Sequence, residues 1–141
     1  MRCDKLERWL KLFVFTFVVI SGASCQSEEK IKLEQYYIGG KDIYEQNCAN
    51  CHQKDGKGFQ NLYPAIAGSD FLKNKERVIY IIKNGLSGEI LVNGKNFNQP
   101  MPANNQLTNL DIAEVITYIY NEWNSETKIT DIKEVEKVLN K

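Results

Sequence analysis

Histidine is nearly missing from this chain: His52 is the only one in 141 residues. Cysteine is sparse at four, methionine at two and proline at three, and the formal net charge is zero. Each shortage excludes something. A Cys/His zinc site needs a second ligand pair at matched spacing, and Cys3 and Cys25 lie far N-terminal of Cys48 and Cys51. With no second His and no paired catalytic acid, acid–base chemistry around His52 would lack partners. Balanced charge gives no basic footprint for nucleic acid. The longest apolar run, Leu12–Ile20, is well short of the ~20 residues that span a bilayer. No βαβ pattern supports a thioredoxin-like dithiol.

What is present is Cys48-Ala49-Asn50-Cys51-His52, the C-x-x-C-H attachment signature of a c-type haem. The spacing follows from the chemistry. Each thiol adds across one porphyrin vinyl group, and two intervening residues put both sulfurs on one helical turn. His52 then lies under the iron as a proximal ligand. Met101 is the counterpart. Met1 would leave with a leader, so Met101, between Pro100 and Pro102, is the sole candidate for a thioether ligand.

Residues 1–24 read as a secretory leader. Arg2, Lys5, Arg8 and Lys11 form a basic start, Leu12–Ile20 an apolar middle, and Ser21-Gly22-Ala23-Ser24 a small-residue cleavage region. Without it the chain carries 14 Lys and Arg against 16 Asp and Glu. Cys25 follows at once, which resembles a bacterial lipobox with Gly22 where a large aliphatic residue is usual. Cys25 is therefore either a lipidation site, a free thiol after ordinary cleavage, or part of an uncleaved anchor. No cysteine pair is left for a disulfide, so export is inferred from the leader and the haem motif.

Residues 25–38 read as a polar tether. The folded part is expected to open at Gly39-Gly40, with a helix from Lys41 to His52 that stacks Gly40, Tyr44 and Cys48 on one face. A Gly-broken loop follows from Gln53 to Gly58. Pro64 either offers its carbonyl to the second ring nitrogen of His52 or simply turns the loop. Ser69 or Asp70 can cap a short turn. Asn74 can cap a helix over Lys75–Asn84 ending at Gly85. Asn93-Gly94 predicts a tight hairpin between Ile90–Val92 and Lys95–Phe97. Thr108 and Asp111 predict the start of a helix whose core stripe is Ile112, Ile116, Ile119 and Trp123. The charged tail 124–141 has helical periodicity and a cap at Asp131. It is read as a docking helix or, more simply, as a weakly packed, solvated one.

Taken together, residues 36–123 or so resemble a class I mono-haem cytochrome c domain. The resemblance is carried by Gly40-x-x-x-Tyr44-x-x-x-Cys48, Cys48 to His52, Pro64 with Gly68, Pro100-Met101-Pro102, and the Tyr118-Ile119 to Trp123 end of the last helix. It implies an all-α fold, three to four helices around one covalent haem c with a small hairpin before the Met loop, occupying 39–123. It implies that the first and last helices cross near Gly40, Tyr44 and Tyr118, and that the Pro64 carbonyl partners the His52 ring. Expected function follows from the ligands. Six-coordinate His/Met ligation leaves no open site for a small-molecule substrate and suits a single-electron carrier between a donor and an acceptor protein. Lys54, Lys57, Lys73, Lys75 and Lys83 either ring the haem edge and steer an acidic partner or form an ordinary solvated surface. The alternatives are an electron-entry subunit of a dehydrogenase, reductase or oxidase, and a haem sensor or peroxidase-like enzyme with Met101 displaced. The expected location is the periplasmic side of a bacterial membrane, held there by lipid on Cys25.

Overall fold

The structure is a computed structural model that describes residues 27–141. The leader 1–24 and Cys25 lie outside the described residues. Lys32–Lys141 form one compact unit, to which the following description applies.

Five α-helices are present among the described residues: α1 (Glu28–Asn47), α2 (Ala49–His52), α3 (Lys75–Asn84), α4 (Asn109–Trp123) and α5 (Ile132–Leu139). A 3₁₀ turn covers Asp70–Lys73, and β1 (Ile90–Val92) pairs antiparallel with β2 (Lys95–Phe97). The mostly helical fold with one small hairpin is the expected class. Two boundaries differ. Helix α1 runs through Gly39-Gly40 and takes in most of the expected tether, and α5 adds a helix beyond the expected three or four.

Both differences have the same cause, which is packing against α4. Tyr36, Gly40 and Tyr44 fall at four-residue spacing on α1 and are buried. A Cβ on Gly40 would overlap the Glu114 carbonyl and lie 2.9 Å from the Tyr118 Cβ. The close helix crossing outweighs the ~1 kcal/mol that glycine costs inside a helix. The crossing is filled by aromatic rings, with Tyr44 and Trp123 centroids 5.1 Å apart and Tyr37 and Tyr118 centroids 5.2 Å apart. Tyr37 also donates to the Glu122 carboxylate, which pushes its phenol up to about 12. The folded unit therefore reaches N-terminal of Gly39.

Helix α4 starts at a capping box in which Thr108 and Asp111 satisfy one another's backbone donors. Its buried stripe includes Ile112, Ile116 and Ile119. On another side it receives α5, which Asp131 caps. Val135 and Val138 are buried there, so one face of the tail helix packs on the protein while Lys133, Glu136 and Lys137 stay exposed. Thr117 Oγ1 accepts from the Thr130 amide at 2.9 Å, Lys75 pairs with Glu126 at 2.7 Å, and the Lys75 ammonium lies 4.4 Å from the Tyr120 ring centroid. The hairpin turns through Asn93 and Gly94, both at positive φ, as a tight primed turn requires. The Asn93 side chain then ties it down by accepting from the Asp70 amide and donating to the Gly68 carbonyl.

Candidate haem site

Helix α1 ends at Asn47, and Cys48 begins a new short helix. The Cys51 and His52 amides both donate to the Cys48 carbonyl, at 3.2 and 2.9 Å, which winds the two thiols and the imidazole onto one turn. Gln53, at φ 64°, ends that turn, and the Tyr44 hydroxyl donates to its carbonyl at 2.8 Å. The chain then folds back. The Gly58 amide donates to the His52 carbonyl, and the amides of Ile66 and Ala67 donate to the Gly56 carbonyl. A Cβ on Gly58 would overlap the Tyr63 carbonyl and come within 2.7 Å of the Pro64 oxygen. Only glycine permits that approach, and it delivers the Pro64 carbonyl to the imidazole.

His52 Nδ1 lies 2.9 Å from the Pro64 carbonyl oxygen. A carbonyl can only accept, so Nδ1 carries the proton and Nε2 keeps its lone pair. Burial lowers the imidazole's proton affinity, partly countered by the Pro64 bond, so the ring is held as a neutral donor. Burial also pushes the Cys48 thiol up to about 12. An unmodified Cys48 would be inert as a redox thiol, which argues against a dithiol–disulfide role.

On another wall, Met101 sits in a two-residue bridge with Leu86. Met101 N donates to Leu86 O at 2.8 Å, and Leu86 N donates to Met101 O at 2.9 Å. Cys48, Cys51, His52, Pro64 and Met101 all line one cavity of about 1140 Å³, open mouth included. The remaining walls are mainly apolar, among them Ile66, Phe71, Leu72, Val78, Ile82 and Ile119. Two thiols on one turn, an imidazole with a free Nε2, a thioether and apolar walls fit a covalently attached haem.

Comparison with known proteins decides the family. The family model "Cytochrome c" matches residues 38–123. The chain belongs to the cytochrome c family. Its relatives include "Cytochrome c-552" of Thermus thermophilus, 34% identical over 99 residues that cover 67% of this chain and 75% of the relative. A "Cytochrome c-552" from a designated strain of that species is also 34% identical over 99 residues, covering 67% of this chain and 66% of the relative. As a class I mono-haem cytochrome c, the protein carries covalently bound haem c and works as an electron carrier.

The five lysines of this cytochrome do not behave alike, and Lys54 and Lys57 belong to an ordinary solvated surface. Lys54 pairs with Glu45 at 3.4 Å and Lys57 with Asp55 at 3.1 Å. Lys75 is half-buried against Glu126 and Tyr120, and Lys83 donates to the carbonyls of Asn105 and Leu107. Four of the five candidate steering lysines thus have partners within the molecule, and two are built into its structure. Sequence reasoning gave no structural role to Gly58 or Asn104 and read Lys83 only as a surface cation. Only Gly58 left a signal, as one of two glycines in a polar loop after the haem motif. Among the described residues, no helix is long and apolar enough to cross a membrane.

Proposed function

We propose that this cytochrome is an exported single-electron carrier, with haem joined by thioethers at Cys48 and Cys51 and ligated axially by His52 and Met101. One observation carries the reading: both thiols, the imidazole with its unbound Nε2 and the only thioether among the described residues line the same apolar cavity. The haem supplies one-electron chemistry, its iron cycling between ferrous and ferric. The protein's part is to hold both axial positions, exclude water with apolar walls and orient His52 through the Pro64 carbonyl. Occupied axial positions leave no substrate site, so the partners are a donor and an acceptor protein.

The reading places the chain outside the cytoplasmic membrane, exported by the leader at 1–24 and anchored by lipid on Cys25. Polar residues beyond Cys25 join that anchor to α1. Two acyl chains would hold it stably, since each buried CH₂ contributes about 0.8 kcal/mol. Electron entry into a larger oxidoreductase complex is the second form of the same chemistry. The charged tail would then be its docking element, but Val135 and Val138 of that tail face the protein's own core.

The test is spectroscopy and mass on native protein. One haem that survives acid–acetone extraction, and a weak far-red sulfur-to-iron band in the ferric form, are expected. Full extraction of the haem, or a ferric spectrum without that band, would sink the ligand assignment. Membrane retention lost in Cys25→Ser supports the anchor, and a soluble wild type without added lipid mass refutes it.

A further inference from the structure

Methionine is the most flexible of the large apolar side chains, and Met101 sits in a loop where Gln99, Pro100, Pro102 and Ala103 are exposed. Such a segment should open easily. The structure nevertheless ties it to the carboxyl end of α3, where the last carbonyls of a helix lack partners within it. The Ile82 carbonyl accepts from Asn104 Nδ2 at 2.9 Å and from the Asn104 amide at 3.3 Å. In the same turn, Lys83 reaches the other way. Its ammonium donates to the Asn105 carbonyl at 3.0 Å and to the Leu107 carbonyl at 2.7 Å. These are charge-assisted bonds from a half-buried cation, and a cation is also favoured at a helix carboxyl end. Gly85, at φ 75°, completes the seat, since a Cβ there would come within 2.7 Å of the Met101 carbonyl oxygen.

We propose that Lys83 and Asn104 are positioning residues that lock the Met101 segment onto α3 and so keep the thioether on the iron. The proposal rests on Met101 being an axial ligand. Lys83 is then an internal clamp and not a docking residue. The two ties join neighbouring residues of one helix end to the segment 104–107 that follows Met101, so loosening either raises the population in which the Met101 loop has swung away.

The experiment uses the full holoprotein and added imidazole, which binds the ferric iron only after the thioether has left. Its apparent affinity rises by the factor by which the open population rises. Lys83→Leu keeps the apolar stem and removes the donors. The expected result is about a tenfold tighter apparent imidazole affinity, equivalent to ~1.4 kcal/mol, with a weakened sulfur-to-iron band. Val135→Ala, at a buried position of α5 that takes no part in either tie to the Met101 segment, serves as a control of general destabilisation and should move neither. If Lys83→Leu does not accumulate folded, Asn104→Ala is judged by the same criterion. A change within about twofold, or an equal change in Val135→Ala, overturns the proposal. Met101→Ala separates the two layers. If it keeps the sulfur-to-iron band, the ligand assignment itself has failed and the clamp falls with it. If it loses the band while Lys83→Leu behaves as wild type, only the clamp is wrong.

Discussion

The two sides of the haem cavity are built by different means. On the histidine side, everything lies in one continuous stretch from Cys48 to Pro64. One helical turn presents the thiols and imidazole, and a glycine-rich loop folds straight back to supply the Pro64 carbonyl. On the methionine side, the Met101 segment is held by bonds between residues 22 to 24 apart in sequence, across from α3. The first side is local and closes with little loop entropy. The second exists only once α3 and the Met loop have met. The histidine side should therefore persist when the fold is perturbed, and the methionine side should yield first.

Breaking the histidine side has the largest expected effect. In Cys48→Ser with Cys51→Ser, both thioether links are removed, and haem should pass fully into the organic phase on acid–acetone extraction. The loss of a large apolar cofactor from the centre of a small domain should also lower Tm sharply. Retained covalent haem in the double variant would show attachment elsewhere. Breaking the methionine side alone should be milder. Met101→Ala should keep its haem, lose the sulfur-to-iron band and drop in potential on the order of 100 mV, within the about 0.8 V that axial ligation spans. An unchanged potential would place the sixth ligand on another residue.

The same contrast governs what could be read from the sequence. His52, Cys48 and Cys51 were legible because their chemistry dictates a fixed short spacing. The Asn93-Gly94 hairpin and the caps at Asn74 and Thr108 were legible because local backbone needs set them. The ties at Lys83 and Asn104 left no trace, since a lysine in the last turn of a helix reads as surface until a loop arrives beneath it. Helix α5 shows the same limit. Its periodicity and its cap at Asp131 were visible, but Val135 on a core and Val135 on a solvated helix look alike in sequence. The buried Thr117–Thr130 contact and the half-buried Lys75–Glu126 pair decide between them. Gly39-Gly40 misled for a related reason. Paired glycines suggest a break, yet here they make room for α4.

Two glycines sharpen the comparison further. Gly58 and Gly68 both adopt left-handed backbone, at φ 71° and 69°. Beside Gly58 stand the Tyr63 and Pro64 carbonyls, whereas nothing lies within 4 Å of where a Cβ on Gly68 would be. Gly68→Ala should cost only the conformational penalty, about 1 kcal/mol. Gly58→Ala adds a clash with the loop that bears the Pro64 carbonyl, and should cost about 2–3 kcal/mol or more. It should also disturb the imidazole, seen as a shifted or lost Nδ1–H resonance and a changed potential. Chemical denaturation of the pair checks the difference. Equal costs would mean that the loop gives way easily and that the histidine side is less tightly built than its geometry indicates.

The smallest expected effect is at Pro64, and it isolates what that residue contributes. The group that meets His52 is the Pro64 backbone oxygen, at 2.9 Å, which every residue type possesses. Proline contributes a fixed φ and one fewer conformation in the unfolded chain. Pro64→Ala should therefore lower stability by only about 0.4–1 kcal/mol, through unfolded-state entropy. The Nδ1–H resonance and the potential should stay as in the wild type, because Gly58 and the amide bonds to the Gly56 carbonyl still bring residue 64 to the ring. Paired denaturation and potentiometry on Pro64→Ala and Gly58→Ala make the decision. If Pro64→Ala shifts the potential as much as Gly58→Ala, the proline ring itself sets the carbonyl's position. If it leaves the potential alone, the imidazole is oriented by the path of the loop, and the glycine that lets the loop pass matters more than the residue that supplies the acceptor.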